Sequence, residues 1–259
     1  MVSLPQEGMK RYKAFVTYDG TPFHGFAPNP DVETVGGKIR DSLEKVLGKE
    51  TNITCAGRTD AGVHAEGQVI SFNAGPIDEK QLERSLNQLC SPHIGIRSLE
   101  ETDPTFDARF SAKSRTYRYQ ILNQDYPDPF LQRFVWHVHD HLDTDSMQTA
   151  STMLIGEHDF SSFCRKRIVK IDGLKTEASL TREIHSIEVT KKESNIIEIW
   201  ITASSFCHQM VRSITGTLVD VGLGKTESYT ITSILAEKNR NAAGRVAPPQ
   251  GLTLMKVKY

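Results

Sequence analysis

Residues 55–72 read CAGRTDAGVHAEGQVISF. Arg58 and Asp60 sit between Gly57 and Gly62, directly ahead of a strand-forming segment at 68–73. Two glycines let a backbone turn sharply and approach a ligand closely. The Val63-His64-Ala65 segment and the strand behind it predict a rigid mount for one guanidinium and one carboxylate, which suits a catalytic platform. The plainer reading is a surface turn with an Arg–Asp pair, which adds little stability. The flanking chain has to decide between them.

Upstream, KRYKAFVTY at 10–18 has β-type composition. TVGGKIRDSLEKVL at 34–47 places Val35, Ile39, Leu43, Val46 and Leu47 on one helical face, with Thr34 as candidate N-cap. A short strand is expected near Ile53. Downstream, 78–90 reads as a helix through Leu82, Leu86 and Leu89, and 93–97 opens another strand. The order is strand, helix, strand, strand, helix, strand. The second part resembles the first in kind. SRTYRYQIL at 114–122 is a strand, and 143–156 is a helix with Met147, Ala150, Met153 and Leu154 inward. Long strands at 179–191 and 196–203 suggest a hairpin through 192–195. A long helix at 205–222, a short one at 231–238 and a closing strand, LTLMKVKY, complete the chain. No sequence repeat is visible, yet the element order nearly doubles. That predicts an α+β fold of two sheet-and-helix halves, 9–105 and 106–259, divided at the TDPTFDA turn.

The chain has 259 residues, 38% hydrophobic and 24% charged, which suits a soluble globular protein and argues against disorder. Its net charge of −1 does not announce a polyanion partner, so any basic surface must be local. No apolar run approaches the roughly 20 residues that span a bilayer. The N-terminal segment lacks the apolar core of a signal peptide, so a cytoplasmic setting is expected. Cys55, Cys90, Cys164 and Cys207 form no CxxC pair, and their wide gaps suggest neither a disulfide framework nor a zinc site.

Three further segments carry candidate chemistry. RFSAKSRTYR at 109–118 interleaves Arg109, Lys113, Arg115 and Arg118 with Phe110 and Tyr117 and has no acid. Basic side chains can neutralise phosphates and an aromatic ring can stack on a base. A solvated basic face is the bland alternative; a second basic stretch, RKRIVK at 165–170 with Lys166 and Arg167, favours a shared polyanion. In SSFCHQMVRSITGTLVDVG at 204–222, Arg212 lies in a largely apolar helix and needs an anionic partner. Asp220 and Asp60 both qualify. His137, His139 and His141 alternate along an expected strand, but no cysteine or carboxylate cluster joins them to make a metal site. His64 reads as structural rather than as a general base. The chain lacks GxGxxG and GxxxxGK[ST], so no nucleotide cofactor is expected.

Taken together, GRTDAGVHAEGQVISF, FDARFSAKSRTYRY (106–119), GEHDFSSF (156–163), FCHQMVRSITGTLVDVG (206–222) and APPQGLTLMKVKY (247–259) resemble, in order, the blocks of the TruA family of tRNA pseudouridine synthases. The resemblance runs from about Tyr12 to the C-terminus. It implies two ferredoxin-like halves forming one continuous, mainly antiparallel sheet, with helices on one side and a basic cleft between the halves. It implies a homodimer that acts on tRNA without metal, cofactor or small-molecule cosubstrate. The implied target is uridine in the anticodon stem-loop, at tRNA positions 38–40. Residue by residue, it makes Asp60 the catalytic aspartate and Arg58 the residue that extrudes the target base. Tyr117 would stack on the uracil, with Tyr119 on the same strand face as the alternative. Arg212 would pair with Asp60, since an arginine partner favours the ionised form of a carboxylate screened from water. Arg109, Lys113, Arg115, Arg118, Lys166 and Arg167 would bind RNA. The segment YDGTPFHGFAPNPDVETVGG departs from the family's usual pattern at Phe26-Ala27-Pro28 and at Gly36-Gly37, which bears on tRNA docking. The rival functions are the same chemistry at another tRNA or RNA uridine, an RNA chaperone that kept the scaffold, and a glycoside-type hydrolase. The last usually needs two paired carboxylates, and only one acid is strongly placed.

Overall fold

The computed structural model describes Pro5 and residues 7–166, 168–171 and 174–259. The chain divides into two compact units, one running to Arg115 and joined by Thr253–Tyr259, the other Thr116–Leu252. The elements of the first are β1 (Lys10–Tyr18), α1 (Val35–Leu47), β2 (Ile53–Cys55), β3 (His64–Ala74), α2 (Glu79–Cys90) and β4 (Ile94–Glu101). Then come β5 (Ser114–Asn123), β6 (Trp136–Val138), α3 (Thr144–Thr152), β7 (Gly156–Asp159), β8 (Ile168–Ile171) and β9 (Leu174–Glu177). The chain ends with β10 (Thr181–Lys191), β11 (Ile196–Ala203), α4 (Met210–Gly222), α5 (Thr230–Glu237) and β12 (Leu252–Lys258). The fold is α+β, with mostly antiparallel strand pairing and five α-helices among the described residues.

In the first unit the strands lie in the order β4-β1-β3-β12, and β2 also pairs with β3. β1 alternates, burying Tyr12, Ala14, Val16 and Tyr18. β3 is buried on both faces over most of its length and starts at His64, four residues earlier than its composition suggests. Its first residues are paired on both sides, antiparallel with β1 (Ala65 to Tyr18) and parallel with β12 (His64 to Thr253). The strand therefore begins immediately behind the GRTD loop. Thr34 caps α1, its side chain accepting from the Gly37 amide at 3.1 Å. Val35, Ile39 and Leu43 are buried. Val46, expected inward, is 40% exposed, in the last turn before Gly48 ends the helix. Asp78 caps α2, which buries Leu82, Leu86 and Cys90.

In the second unit the strand order is β5-β11-β10-β7, with β6 parallel to β5. The β10–β11 hairpin forms as expected, turning through Asn195 in the left-handed region (φ 57°). Two helices are shorter than their periodicity predicts. α3 stops at Thr152, because the chain must turn at Gly156 (φ 104°) into β7, which pairs with β10. α4 starts at Met210, because Gln209 (φ 65°) interrupts the helical path and leaves 205–209 as a loop. A disulfide joins Cys164 to Cys207 (Cα–Cα 5.9 Å), a pairing that the cysteine spacing did not suggest. Cys55 and Cys90 are free and buried. Among the described residues no helix is long and apolar enough to cross a membrane.

Candidate active site

The loop carrying Arg58 and Asp60 is fastened at nearly every other residue. Its first peptide is held at Ala56, whose amide donates to the Val69 carbonyl at 2.9 Å. Gln68, fully buried, donates to the Gly57 carbonyl at 2.6 Å and accepts from its amide at 3.3 Å. Thr59 is buried, with its hydroxyl 2.8 Å from that of Tyr18 and its carbonyl accepting from the Phe26 amide at 3.1 Å. Gly62 adopts φ 76° and donates to the Phe23 carbonyl, and Val63 donates to that of Asp60. Of the two glycines, only Gly62 needs the left-handed region. The result is an alternation in exposure. Thr59 points inward, Arg58 stands in solvent, and Asp60 is half-buried. Such fastening lowers the cost of holding reactive groups in place.

His64 closes the loop. It is 3% exposed, and its Nδ1 accepts from the Gly20 amide at 3.0 Å and lies 3.3 Å from Asp19 Oδ1. Both partners belong to the turn that follows β1. Cys55, at the loop's entrance, has its thiol pushed up to about 12 by burial, an effect moderated by the positive charges of Arg58 and Arg109.

The basic cluster at 109–118 is split by the alternation of β5. Arg109 and Lys113 are exposed. Arg115 is buried, and its guanidinium donates to the carbonyls of Ala56, Arg109 and Ala112. Arg118 points to the opposite face of the strand from Arg115, 5.6 Å over the Trp200 ring and 3.9 Å from Glu198. Lys166 is exposed, 3.4 Å from Glu177, and Arg167 lies outside the described residues.

In the second unit, Tyr117 is 7% exposed and meets the edge of Phe206 at 5.1 Å. Tyr119 shares its strand face but is fully buried, and its hydroxyl donates to the Pro248 carbonyl at 2.7 Å. Burial pushes the Tyr119 hydroxyl above the usual phenol range. Arg212, half-buried on α4, is tied to one residue twice. Its Nε donates to the Ala247 carbonyl at 2.7 Å, and its own carbonyl accepts from the Ala247 amide at 3.0 Å. Asp220, one of its two expected partners, stands eight residues on, about 12 Å along the helix axis. Asp220 lies instead beside Gly244. Of the alternating histidines only His137 is in a strand, because β6 ends at Val138. His137 bonds the Gln124 carbonyl at 2.8 Å, and no group of three metal-binding side chains occurs among the described residues.

Three supporting residues escaped the sequence reading: Tyr18, Gln68 and Phe206. Gln68 alone carried a signal, as a polar side chain at the head of the strand-forming segment. Tyr18 and Phe206 look like ordinary core aromatics.

Nearly the whole chain resembles known proteins. A family model described as tRNA pseudouridine synthase matches residues 14–111 and 150–259, both segments that hold the loop and α4 included. A tRNA pseudouridine synthase A from Brevibacillus brevis is 41% identical over 97% of this chain and 100% of its own length. One from a Shewanella species is 39% identical over 94% of this chain and 91% of its own. One from Listeria innocua is 38% identical over 97% and 100%. With the GRTD loop intact and the likeness running nearly end to end, the chain belongs to the TruA family of tRNA pseudouridine synthases, a family of isomerases.

Proposed function

We propose that the protein converts uridine to pseudouridine in the anticodon stem-loop of tRNA, at positions 38–40, as a cytoplasmic homodimer. Asp60 performs the chemistry, as nucleophile or as base. The reaction breaks the bond between N1 of uracil and C1′ of ribose, turns the base, and joins C5 to C1′. C5 gives up its proton and N1 gains one, so the product is an isomer and nothing is consumed. The target base must first leave its stack, at a cost of a few kcal/mol. Arg58, exposed beside Asp60, offsets part of that cost by filling the gap and contacting phosphate. Tyr117 supplies the flat face for the uracil, and Arg212 the cation opposite Asp60. Arg109, Lys113, Arg118, Lys166 and Arg167 are proposed to meet the RNA backbone.

The observation that carries this reading is the loop itself, in which Gly57, Thr59 and Gly62 are hydrogen-bonded while Arg58 is left exposed. Tyr117 is preferred to Tyr119 because Tyr119 is fully buried, whereas Tyr117 keeps 7% exposure. The test is site-resolved pseudouridine mapping on unmodified tRNA transcripts, with wild-type protein and Asp60→Ala side by side. Asp60-dependent pseudouridine on the 3′ side of the anticodon stem-loop supports enzyme and target together. Pseudouridine elsewhere keeps the mechanism and overturns the target. None at all, with tRNA still bound, moves the reading to an RNA chaperone.

A further inference from the structure

Arg115 belongs to the basic cluster whose composition points to RNA, yet its surroundings are protein. It is 9% exposed. Its Nε and Nη2 both donate to the Ala56 carbonyl, at 3.2 and 2.9 Å. Nη2 also donates to the Arg109 carbonyl at 2.7 Å, and Nη1 to the Ala112 carbonyl at 3.3 Å. These carbonyls belong to two separate segments. Ala56 is the residue before Gly57-Arg58-Thr59-Asp60, and Arg109 and Ala112 belong to the turn ahead of β5.

That turn is itself anchored. The Arg109 and Phe110 amides donate to the buried Asp107 carboxylate at 2.8 and 2.9 Å. The Ala108 amide donates to Ser71 Oγ at 3.1 Å, and the Ala108 carbonyl accepts from the Tyr259 hydroxyl at 2.8 Å. One planar, forked cation therefore fastens the entrance of the Asp60 loop to a fixed point. The Ala56 amide is held on its other side by Val69. Only a guanidinium presents donors in a fixed fork; a lysine ammonium is a compact point charge that cannot span the same carbonyls.

We infer that Arg115 is a positioning residue that sets the height of the Asp60 loop, and that it makes no contact with tRNA phosphate. The inference rests on the proposed role of Asp60. Losing the fork leaves the Ala56 carbonyl buried without these donors and frees the loop entrance, four residues from the reacting carboxylate. A shift of about 1 Å at a reacting group costs on the order of 100-fold in rate.

The test uses the full-length protein as wild type, Arg115→Lys, Arg115→Gln and Asp60→Ala, on unmodified tRNA transcripts. tRNA affinity is measured across a salt series, and pseudouridine formation in a single turnover at saturating protein, well below each variant's melting temperature. Both Arg115 variants are expected to keep the wild-type affinity and salt slope and to lose on the order of 100-fold in saturating rate. A phosphate contact predicts the reverse. Arg115→Gln would then weaken binding and lower the salt slope by about one, with the saturating rate unchanged, and Arg115→Lys would be nearly normal. That pattern overturns the inference. A role in stability alone would lower the melting temperature and leave the saturating rate intact, which also overturns it. If Arg115→Gln does not fold, Arg115→Lys decides by its rate. Full-rate Arg115→Lys beside inactive Asp60→Ala removes the brace and keeps the site. An active Asp60→Ala removes the proposed site and this inference with it.

Discussion

Gly20 lies directly against Val63: a Cβ at position 20 would fall onto the Val63 carbonyl oxygen. Gly20 also donates its amide to His64 Nδ1 at 3.0 Å. The turn after β1 thus presses on the far end of the Asp60 loop, and the glycine is demanded by its neighbour rather than by its own backbone angles.

Gly20→Ala is therefore expected to push Val63 outward and displace the loop. Overpacking of this kind costs about 1–3 kcal/mol. Melting temperature should fall, and the single-turnover rate at saturating tRNA should drop at least about tenfold. An unchanged rate in a folded Gly20→Ala protein would show that the loop does not need this contact.

Arg212→Leu is expected to cripple turnover while tRNA still binds. Leucine suits the apolar helix, so the fold survives, but the charge is lost. Filter binding and single-turnover kinetics on the same variant separate the two effects. Weakened binding with a normal saturating rate would assign Arg212 to RNA contact instead.

Tyr117 and Tyr119 should behave oppositely. Tyr119→Phe removes the donor to the half-buried Pro248 carbonyl and should cost about 0.5–1.5 kcal/mol of stability with little change in saturating rate. Tyr117→Ala should lose the rate. Loss of activity in Tyr117→Phe would mean that the hydroxyl matters as well as the ring. If Tyr119→Phe were the inactive variant, the two tyrosines would exchange roles.

The Cys55 thiol gives a pH signature. Burial pushes it up to about 12, against about 8.5 in an unfolded chain. Between those values the native thiol keeps a proton that the unfolded thiol has lost, so stability falls as pH rises above about 9. The slope from this group is at most about 1.4 kcal/mol per pH unit. Cys55→Ala should flatten the alkaline limb of the melting-temperature profile relative to wild type. Superimposable limbs would show that the thiol does not differ between the two states.

Much of this molecule was legible in local pattern. The β10–β11 hairpin, the Thr34 cap and the burial of Ile39, Leu43, Leu82 and Leu86 follow from strand and helix periods and from capping chemistry. Helix ends were less legible. The apolar period of 205–222 runs straight through Gln209, and nothing in a glutamine announces φ 65°. The GRTD loop was legible as a motif, but the residues that fasten it were not. Tyr18 and Gln68 reach it from strands whose own composition describes only the sheet.

What the sequence determined by itself was the order and type of the elements, the α+β class and the family, because these rest on short-range periodicity and on motifs read in line. The tertiary structure alone decided which charges face solvent. Arg115 and Arg118 lie three residues apart in one basic run, so strand alternation sends them to opposite faces. Alternation does not say which face will be covered. That depends on Ala56, brought against Arg115 by the fold, just as Thr253 is brought beside His64. Such contacts join residues far apart in the chain, and their free energy exists only once both partners are in place.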